Sequence, residues 1–211
     1  MEVTRIGFTI GFSLAILATA GRPSHAQSQT SAPSVTAGLG LVSLWDDETF
    51  LGRGPVISGG VSLPIGRPGS LEGEVAVAPH RRDAGYLAAD GTLITATARG
   101  VLVFGAPSRR TRAFVSGGLS AIHSRGTLTT ASFQAGPGGL PVPGPSERQP
   151  WALTSLGYEI GGGAQIGGSR RLVWRPEARW TFGAGRASSR SIEPPLWAVR
   201  AGITLLVRTR R

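Results

Sequence analysis

Residues 172–182 read LVWRPEARWTF, a stretch in which apolar and polar side chains alternate. One parity is apolar and the other is charged or polar, namely Leu172, Trp174, Trp180 and Phe182 against Arg175, Glu177, Arg179 and Thr181. Successive side chains of a β-strand point to opposite faces of the sheet. The stretch therefore predicts a strand that separates an apolar environment from a polar one.

Seven other segments show the same alternation, at residues 35–45, 56–65, 71–79, 93–105, 113–122, 152–166 and 197–207. The pattern is weakest in 113–122, where Val115 and Leu119 share one parity while Phe114 and Ile122 share the other. The 32 glycines and 15 prolines suit short strands with frequent turns better than helices. Eight antiparallel strands of an all-β domain are predicted.

The predicted connections alternate in length. Four are long, at 46–55, 80–92, 123–151 and 183–196, and three are short, at 66–70, 106–112 and 167–171. Long outer loops and short periplasmic turns are typical of transmembrane barrels. An even number of strands also places both ends of the barrel segment on the side of the short turns.

The first 26 residues have the features of a cleavable signal peptide. Arg5 precedes the largely apolar stretch 6–20, and Ser24-His25-Ala26 offers small residues on which a signal peptidase acts before Gln27. We expect a linker at 27–34, a barrel at 35–207 and a basic tail at 208–211. No later stretch is long and apolar enough for a transmembrane helix, so a membrane location requires a closed barrel.

With this pattern over residues 35–207, the chain resembles the small eight-stranded outer-membrane barrels of the OmpA/OmpX type. The resemblance rests on alternation and loop lengths rather than on a signature motif. It implies an eight-stranded antiparallel up-and-down transmembrane β-barrel, located in the cell outer membrane with its long loops outside the cell. Members of this family differ widely in function.

Side-chain size indicates which parity faces lipid. The polar parity is largely Gly, Ser, Thr and Ala, which fit inside a narrow lumen. The apolar parity carries aromatic residues near the strand ends, as the girdles of membrane barrels do. They are Trp45, Trp180, Phe182 and Trp197 at the loop end, and Phe104 and Trp174 at the turn end. The alternative is a soluble exported barrel that binds a ligand in an apolar interior.

The predicted inner parity carries balanced charges: Glu72, Glu74, Glu159 and Glu177 with Arg99, Arg175, Arg179 and Arg200. Charges in a confined lumen are costly unless they pair and fill their hydrogen bonds. We expect lateral contacts of Glu72 or Glu74 with Arg99, of Glu159 with Arg179, and of Glu177 with Arg200. Such a network is a structural plug or, as the alternative, a gate for ions.

The composition narrows the remaining classes of function. The net charge is +10, but the arginines are scattered and export removes the protein from cytosolic nucleic acid, so no nucleic-acid partner is expected. The chain has no cysteine, which excludes a thiol nucleophile and a disulfide framework. Without lysine there is no P-loop, and no cofactor is predicted. Outer-membrane lipids are the expected surroundings.

Enzymatic chemistry has one candidate in the sequence, the adjacent pair His123-Ser124, with Glu147 or Asp90 as an orienting acid. A lone adjacent pair does not make a catalytic triad, which is recognised by geometry, so we predict no catalytic residues. The acidic run 46–48 and His80 are too sparse for a metal site. A lipid-modifying enzyme at the loop-side rim stays the alternative function.

The segment GPGGLPVPGP at 136–145 is rich in proline and glycine and predicts a mobile external loop within 123–151. Recognition commonly resides in loops carried by a rigid scaffold. The sequence thus favours a structural or surface-recognition function, with an envelope or extracellular partner bound through loop 123–151.

Overall fold

The computed structural model describes residues 33–46, 49–66, 68–85, 87–106, 108–167, 172–183 and 196–208. The predicted signal peptide and nearly all of the predicted linker lie outside these residues, as does the tail beyond Arg208. Within the described ranges, no helix has the length and apolar character needed to cross a membrane.

The predicted architecture is confirmed: eight antiparallel strands form a closed barrel in sequential order. The strands are β1 Ser34–Asp46, β2 Thr49–Pro64, β3 Gly69–Asp83, β4 Leu87–Phe104, β5 Thr111–Ala135, β6 Pro141–Gly167, β7 Leu172–Gly183 and β8 Leu196–Arg208. Closure is complete, because β1 pairs with β8 from Ser34↔Arg208 to Asp46↔Leu196. No strand edge is left open along this seam.

The bulky apolar parity points away from the lumen. Leu39 is 65% exposed and Leu119 is 73% exposed, whereas Arg175 on the opposite parity is fully buried. Trp180 and Ile203 also lie on the outer face. A soluble ligand-binding barrel has the reverse arrangement, with its bulky apolar side chains inside.

Two of the predicted long loops are mostly strand, so those predictions are wrong. β2 already begins at Thr49 within 46–55, and β3 and β4 continue through most of 80–92. The β3–β4 connection is a tight turn in which the Ala84 N–H donates to the Leu87 carbonyl at 2.9 Å. Gly85 has φ 74° there, a conformation that favours glycine. The fourth predicted loop, 183–196, lies almost entirely outside the described residues.

The predicted mobile loop 123–151 is also wrong, because β5 and β6 continue through it as a long hairpin. The ladder runs from Thr111↔Ile166 up to Ala135↔Pro141, with one irregularity between Ala131 and Phe133. A strand of about 10 residues crosses a membrane. With 25 residues in β5 and 27 in β6, the hairpin extends well beyond the other strands at the loop end.

Prolines fit this hairpin because of their positions in the ladder. The Gly136 N–H donates to the Leu140 carbonyl at 2.9 Å, which makes these two a hydrogen-bonded pair. In antiparallel pairing such pairs alternate with pairs whose backbone N–H groups point away from the partner. Pro141 and Pro143 occupy positions of this second kind, where the backbone N–H would point away from β5. Their missing N–H groups therefore remove no hydrogen bond to β5.

The loop-end half of the lumen contains a buried apolar cluster, which the alternation did not predict. Partly buried Trp151 on β6 packs against this cluster. The cluster's own members come from six strands; they are Val42, Leu44, Leu51, Val56, Ala76, Ala78, Leu93, Ile122, Leu196 and Ala198. The lumen is therefore filled by apolar side chains on the loop side and by charged ones nearer the turns, rather than by small and charged residues throughout.

Candidate functional site

All eight predicted lumen charges point into the barrel from five strands. Glu72 and Glu74 are on β3, Arg99 on β4 and Glu159 on β6. β7 supplies Arg175, Glu177 and Arg179, and β8 supplies Arg200. Every one is buried, with Arg200 the most exposed at 9%. The network lies on the turn side of the apolar cluster.

Glu72 joins two arginines from opposite walls of the barrel. Arg175 donates from Nη1 and Nη2 to the two Glu72 carboxylate oxygens, at 2.6 and 2.7 Å. Arg99 donates from Nε at 3.1 Å and from Nη2 at 2.8 Å to Glu72 Oε2. Charge-assisted bonds of this forked kind are short and directional. They tie β3 to β4 and, across the lumen, to β7.

Glu74 forms a second, parallel junction. Arg179 donates from Nη1 and Nη2 to its two oxygens at 2.7 and 2.8 Å. Arg200 Nη1 donates to Glu74 Oε1, and Arg200 Nη2 donates to Ser58 Oγ at 2.7 Å. Glu74 therefore connects β3 with β7 and β8, which are not its neighbours in the sheet.

Arg99 connects the two junctions. Its guanidinium lies 3.4 Å from Glu159, 3.5 Å from Glu177 and 3.7 Å from Glu74, besides its bonds to Glu72. Glu159 and Glu177 also accept hydrogen bonds from threonine hydroxyl groups. Thr181 donates to Glu159 at 3.3 Å, and Thr204 donates to Glu177. The four negative and four positive charges thus form one connected network with no net charge.

The observed partners differ in part from the lateral contacts that the sequence suggested. Arg99 contacts both Glu72 and Glu74, and Arg179 lies 3.7 Å from Glu159. Arg200 pairs with Glu74 instead of Glu177. The shorter bonds of Glu72 and Glu74 to β7 cross the lumen, a relation that strand order along the sequence does not reveal.

The lumen at the level of the network is filled by side chains. The Arg175 guanidinium lies 5.1 Å from the centre of the Phe114 ring, a cation–π contact inside the lumen. A cavity of about 20 Å³ separates the charges from the apolar cluster, beside Glu159, Thr181 and Arg200. That volume suits a single water molecule. The geometry is that of a packed plug.

The sequence candidate His123-Ser124 is split between the two faces of β5. His123 faces outward, with Nδ1 2.8 Å from Thr154 Oγ1. Ser124 is fully buried, with Oγ 3.4 Å from His80 Nε2. Neither Glu147 nor Asp90 bonds to His123, since no such contact occurs among the described residues. The adjacent pair is therefore not assembled as a nucleophile and its base.

No group of three possible metal ligands occurs among the described residues. Asp47 and Glu48, two of the three residues in the acidic run 46–48, lie outside them.

Outward aromatic rings form a continuous cluster at the loop end of β1, β6, β7 and β8. Trp45 stacks on Trp197 with ring centres 4.4 Å apart, and Trp180 stacks on Phe182 at 5.0 Å. Tyr158 joins through Phe182 at 5.0 Å. Tyr158 is not among the predicted interface aromatics, although its outward parity and its strand position are visible in the sequence. At the turn end, Phe104 and Trp174 are 50% and 45% exposed.

Comparisons with known proteins identify the fold. No family model matches the sequence, and no curated protein matches it significantly. The crystal structure of Neisserial surface protein A is 11% identical, with a TM-score of 0.60 over 84% of this chain and 97% of that one. A major outer membrane protein from Thermus thermophilus is 12% identical, with a TM-score of 0.52 over 83% of this chain and 99% of that one. The chain thus has the fold of the small eight-stranded outer-membrane β-barrels.

Proposed function

We propose that this protein is an integral outer-membrane barrel whose lumen is a structural plug and whose long β5–β6 hairpin serves recognition outside the cell. The observation that carries the proposal is the outer wall, where bulky apolar side chains cover the barrel between aromatic residues at both ends. Soluble monomeric proteins rarely expose a contiguous apolar surface larger than a few hundred Å². In a hydrocarbon environment this apolar surface is not exposed to water. The aromatic residues at both ends then correspond to the girdles of membrane barrels.

The recognition part rests on the hairpin tip. Phe133 is 59% exposed and Leu140 is 71% exposed, at the end of the longest pair of strands in the described chain. Exposed aromatic and aliphatic side chains on a projecting scaffold are common anchors of protein partners. An envelope or extracellular protein that binds this tip is the partner we propose.

Orientation and location can be tested by cysteine labelling, because the natural chain has no cysteine. We expect Leu140→Cys to react with a membrane-impermeant maleimide in intact cells, since the hairpin tip lies outside. Ser108→Cys, in the exposed β4–β5 turn, is the matched control and should react only after the outer membrane is permeabilised. Both variants should fractionate with membranes and migrate as heat-modifiable bands. Recovery from the soluble periplasm without detergent would contradict the proposal.

The plug predicts a closed barrel in planar bilayers. We expect the wild type to show no sustained conductance, because buried side chains fill the lumen at two levels. Arg99→Met removes the central guanidinium, but Arg175 and Phe114 still fill that cross-section of the lumen. The conductance of this variant should therefore stay at the closed level. Long-lived open steps in Arg99→Met, absent from the matched surface variant Arg148→Met, would show instead that the network is a gate.

A further inference from the structure

The outer wall of β2 to β6 carries a groove of about 650 Å³ that the proposed function does not explain. Its floor is formed by small outward residues, including Gly59, Gly73 and Ala98, and its sides by Val61, Leu119 and Leu156. The lining is almost wholly apolar. The groove opens sideways toward the surroundings of the barrel, not into the lumen.

The small size of the floor residues is not required by the packing of the barrel. A Cβ added at Gly59 would have only Thr36 O within 4 Å, at 3.9 Å, and one at Gly73 would have only a Val61 methyl, at 4.0 Å. Neither glycine has a positive φ. On the inner face, by contrast, a Cβ at Gly60 would lie 2.2 Å from Gly73 O. Glycine weakens a strand, so these two glycines lower the stability of the barrel without improving its packing.

Polar and cationic side chains continue the groove toward the loop end. On β5, the outward positions after Leu119 and Ala121 are His123 and Arg125, and on β6 the next outward position beyond Leu156 is Thr154. Register places His123 opposite Thr154, and their side chains meet at 2.8 Å. The apolar groove therefore leads directly to a cluster of hydrogen-bond donors with a positive charge.

Arg125 is available to an anion. It is exposed, and it forms no ion pair with any acidic side chain that the structure describes, including Asp90 on β4 and Glu147 on β6. Arg53 and Arg81 also point outward near this end, as register partners on β2 and β3. Asp90 on β4 is the register partner of Arg81, but neither arginine forms an ion pair with a carboxylate that the structure describes. This side of the barrel thus presents positive charge above apolar surface, and guanidinium groups suit phosphate through their planar fork.

The dimensions fit a lipid. A strand rises about 3.3 Å per residue, so the path from Arg125 to Leu119 on β5 is roughly 20 Å long. One leaflet of hydrocarbon is about 15 Å thick. A headgroup at Arg125 would thus place an acyl chain along the groove.

We propose that the groove holds an acyl chain of a phosphorylated, multiply acylated glycolipid of the outer leaflet, with its phosphate bound by Arg125, His123 and Thr154. The proposal rests on the outer-membrane location proposed above. A multiply acylated lipid is chosen over a two-chain phospholipid because the groove spans five strands, and because Arg53 and Arg81 extend the positive surface beyond a single phosphate.

The test is native mass spectrometry of the detergent-purified barrel titrated with rough lipopolysaccharide. We expect Gly59→Leu/Gly73→Leu to fill the groove and lower lipid retention at least about tenfold, since the added side chains occupy the acyl site while leaving the barrel intact. Arg125→Gln should lower retention by about tenfold, the loss expected for one charge-assisted contact.

A matched control uses two glycines with the same chemistry outside the groove. Gly100 and Gly117 are register partners on β4 and β5, and a Cβ at either would approach other atoms no closer than 3.8 Å. Gly100→Leu/Gly117→Leu should retain lipopolysaccharide as the wild type does. Equal retention by the groove-filled and wild-type proteins would overturn the proposal.

Two further outcomes would also overturn it. Equal affinity for phosphatidylglycerol would show that any phosphate headgroup suffices, and a dimer that dissociates only in Gly59→Leu/Gly73→Leu would show that a second copy of the chain occupies the groove. Surface labelling of Leu140→Cys in the groove-filled background tests the location separately. If that labelling persists while lipid binding is unchanged, the groove proposal alone fails.

Discussion

Replacing Glu72 by glutamine is expected to lower the free energy of unfolding by about 3–5 kcal/mol, the usual effect of removing one partner from a buried ion pair. The substitution keeps the shape of the side chain but removes the negative charge that Arg175 and Arg99 share. Both guanidinium groups are at most 1% exposed, so water cannot replace the carboxylate. Urea titration in detergent micelles, with folded and unfolded bands separated on a gel, measures the change.

Two variants make this prediction specific to the network. Glu147→Gln removes a carboxylate from the exposed hairpin and should leave the urea midpoint unchanged, because an exposed charge contributes little to stability. Glu72→Met/Arg175→Met removes both partners of the forked pair and should recover part of the loss, since apolar replacement of a whole buried pair is often tolerated. Unfolding of Glu72→Gln at the wild-type urea concentration would contradict a stabilising plug.

Gly118→Ala is expected to destabilise the barrel by about 3 kcal/mol, at the upper end of the range for overpacked interiors. The glycine faces the lumen on β5, and a Cβ there would lie 2.1 Å from the Ala98 carbonyl oxygen and 2.5 Å from Arg99 Cα. The contacts are with backbone, so a rotamer change cannot relieve them. The two strands would have to separate at the centre of the network. Urea titration of the refolded variant measures the loss.

The neighbouring residue provides the control for this second substitution. Gly117 faces outward, and a Cβ at that position would meet its nearest atom, Glu159 O, at 3.8 Å, an ordinary contact distance. Gly117→Ala should therefore be neutral or slightly stabilising, because alanine is less flexible than glycine in the unfolded chain. Equal destabilisation by the two alanines would mean that glycine is needed for strand flexibility rather than for the narrow lumen.

Alternation along each strand was enough to predict the fold and the direction of most side chains. The period of two is a local property of extended backbone, so the outward position of Trp180 and the inward position of Arg175 follow from parity once the segment is recognised as a strand. The same argument correctly separated Phe114 from Val115 on β5. It also predicted that eight such segments would close into a barrel.

Strand ends and loops were predicted less well, because their limits depend on pairing partners. Glycine and proline near 136–145 are turn formers by composition, yet β5 supplies ladder partners to Pro141, Val142 and Pro143, so the turn itself is confined to residues 136–140. Proline is compatible with that ladder only in one register, which the sequence of one strand does not specify. The apolar cluster at the loop end has a similar origin, since its residues meet only when six strands converge.

The sequence by itself determined which charged side chains enter the lumen, and the tertiary structure decided which of them touch. Parity is set within one strand, so eight charges could be assigned to the interior without knowledge of the barrel. Partner choice depends on shear and closure, which bring Glu74 of β3 to Arg200 of β8 across the lumen. The backbone of β4 lies against the inner side of Gly118, whereas Gly73 opens onto free space at the outer face, although both are simply glycines in the sequence.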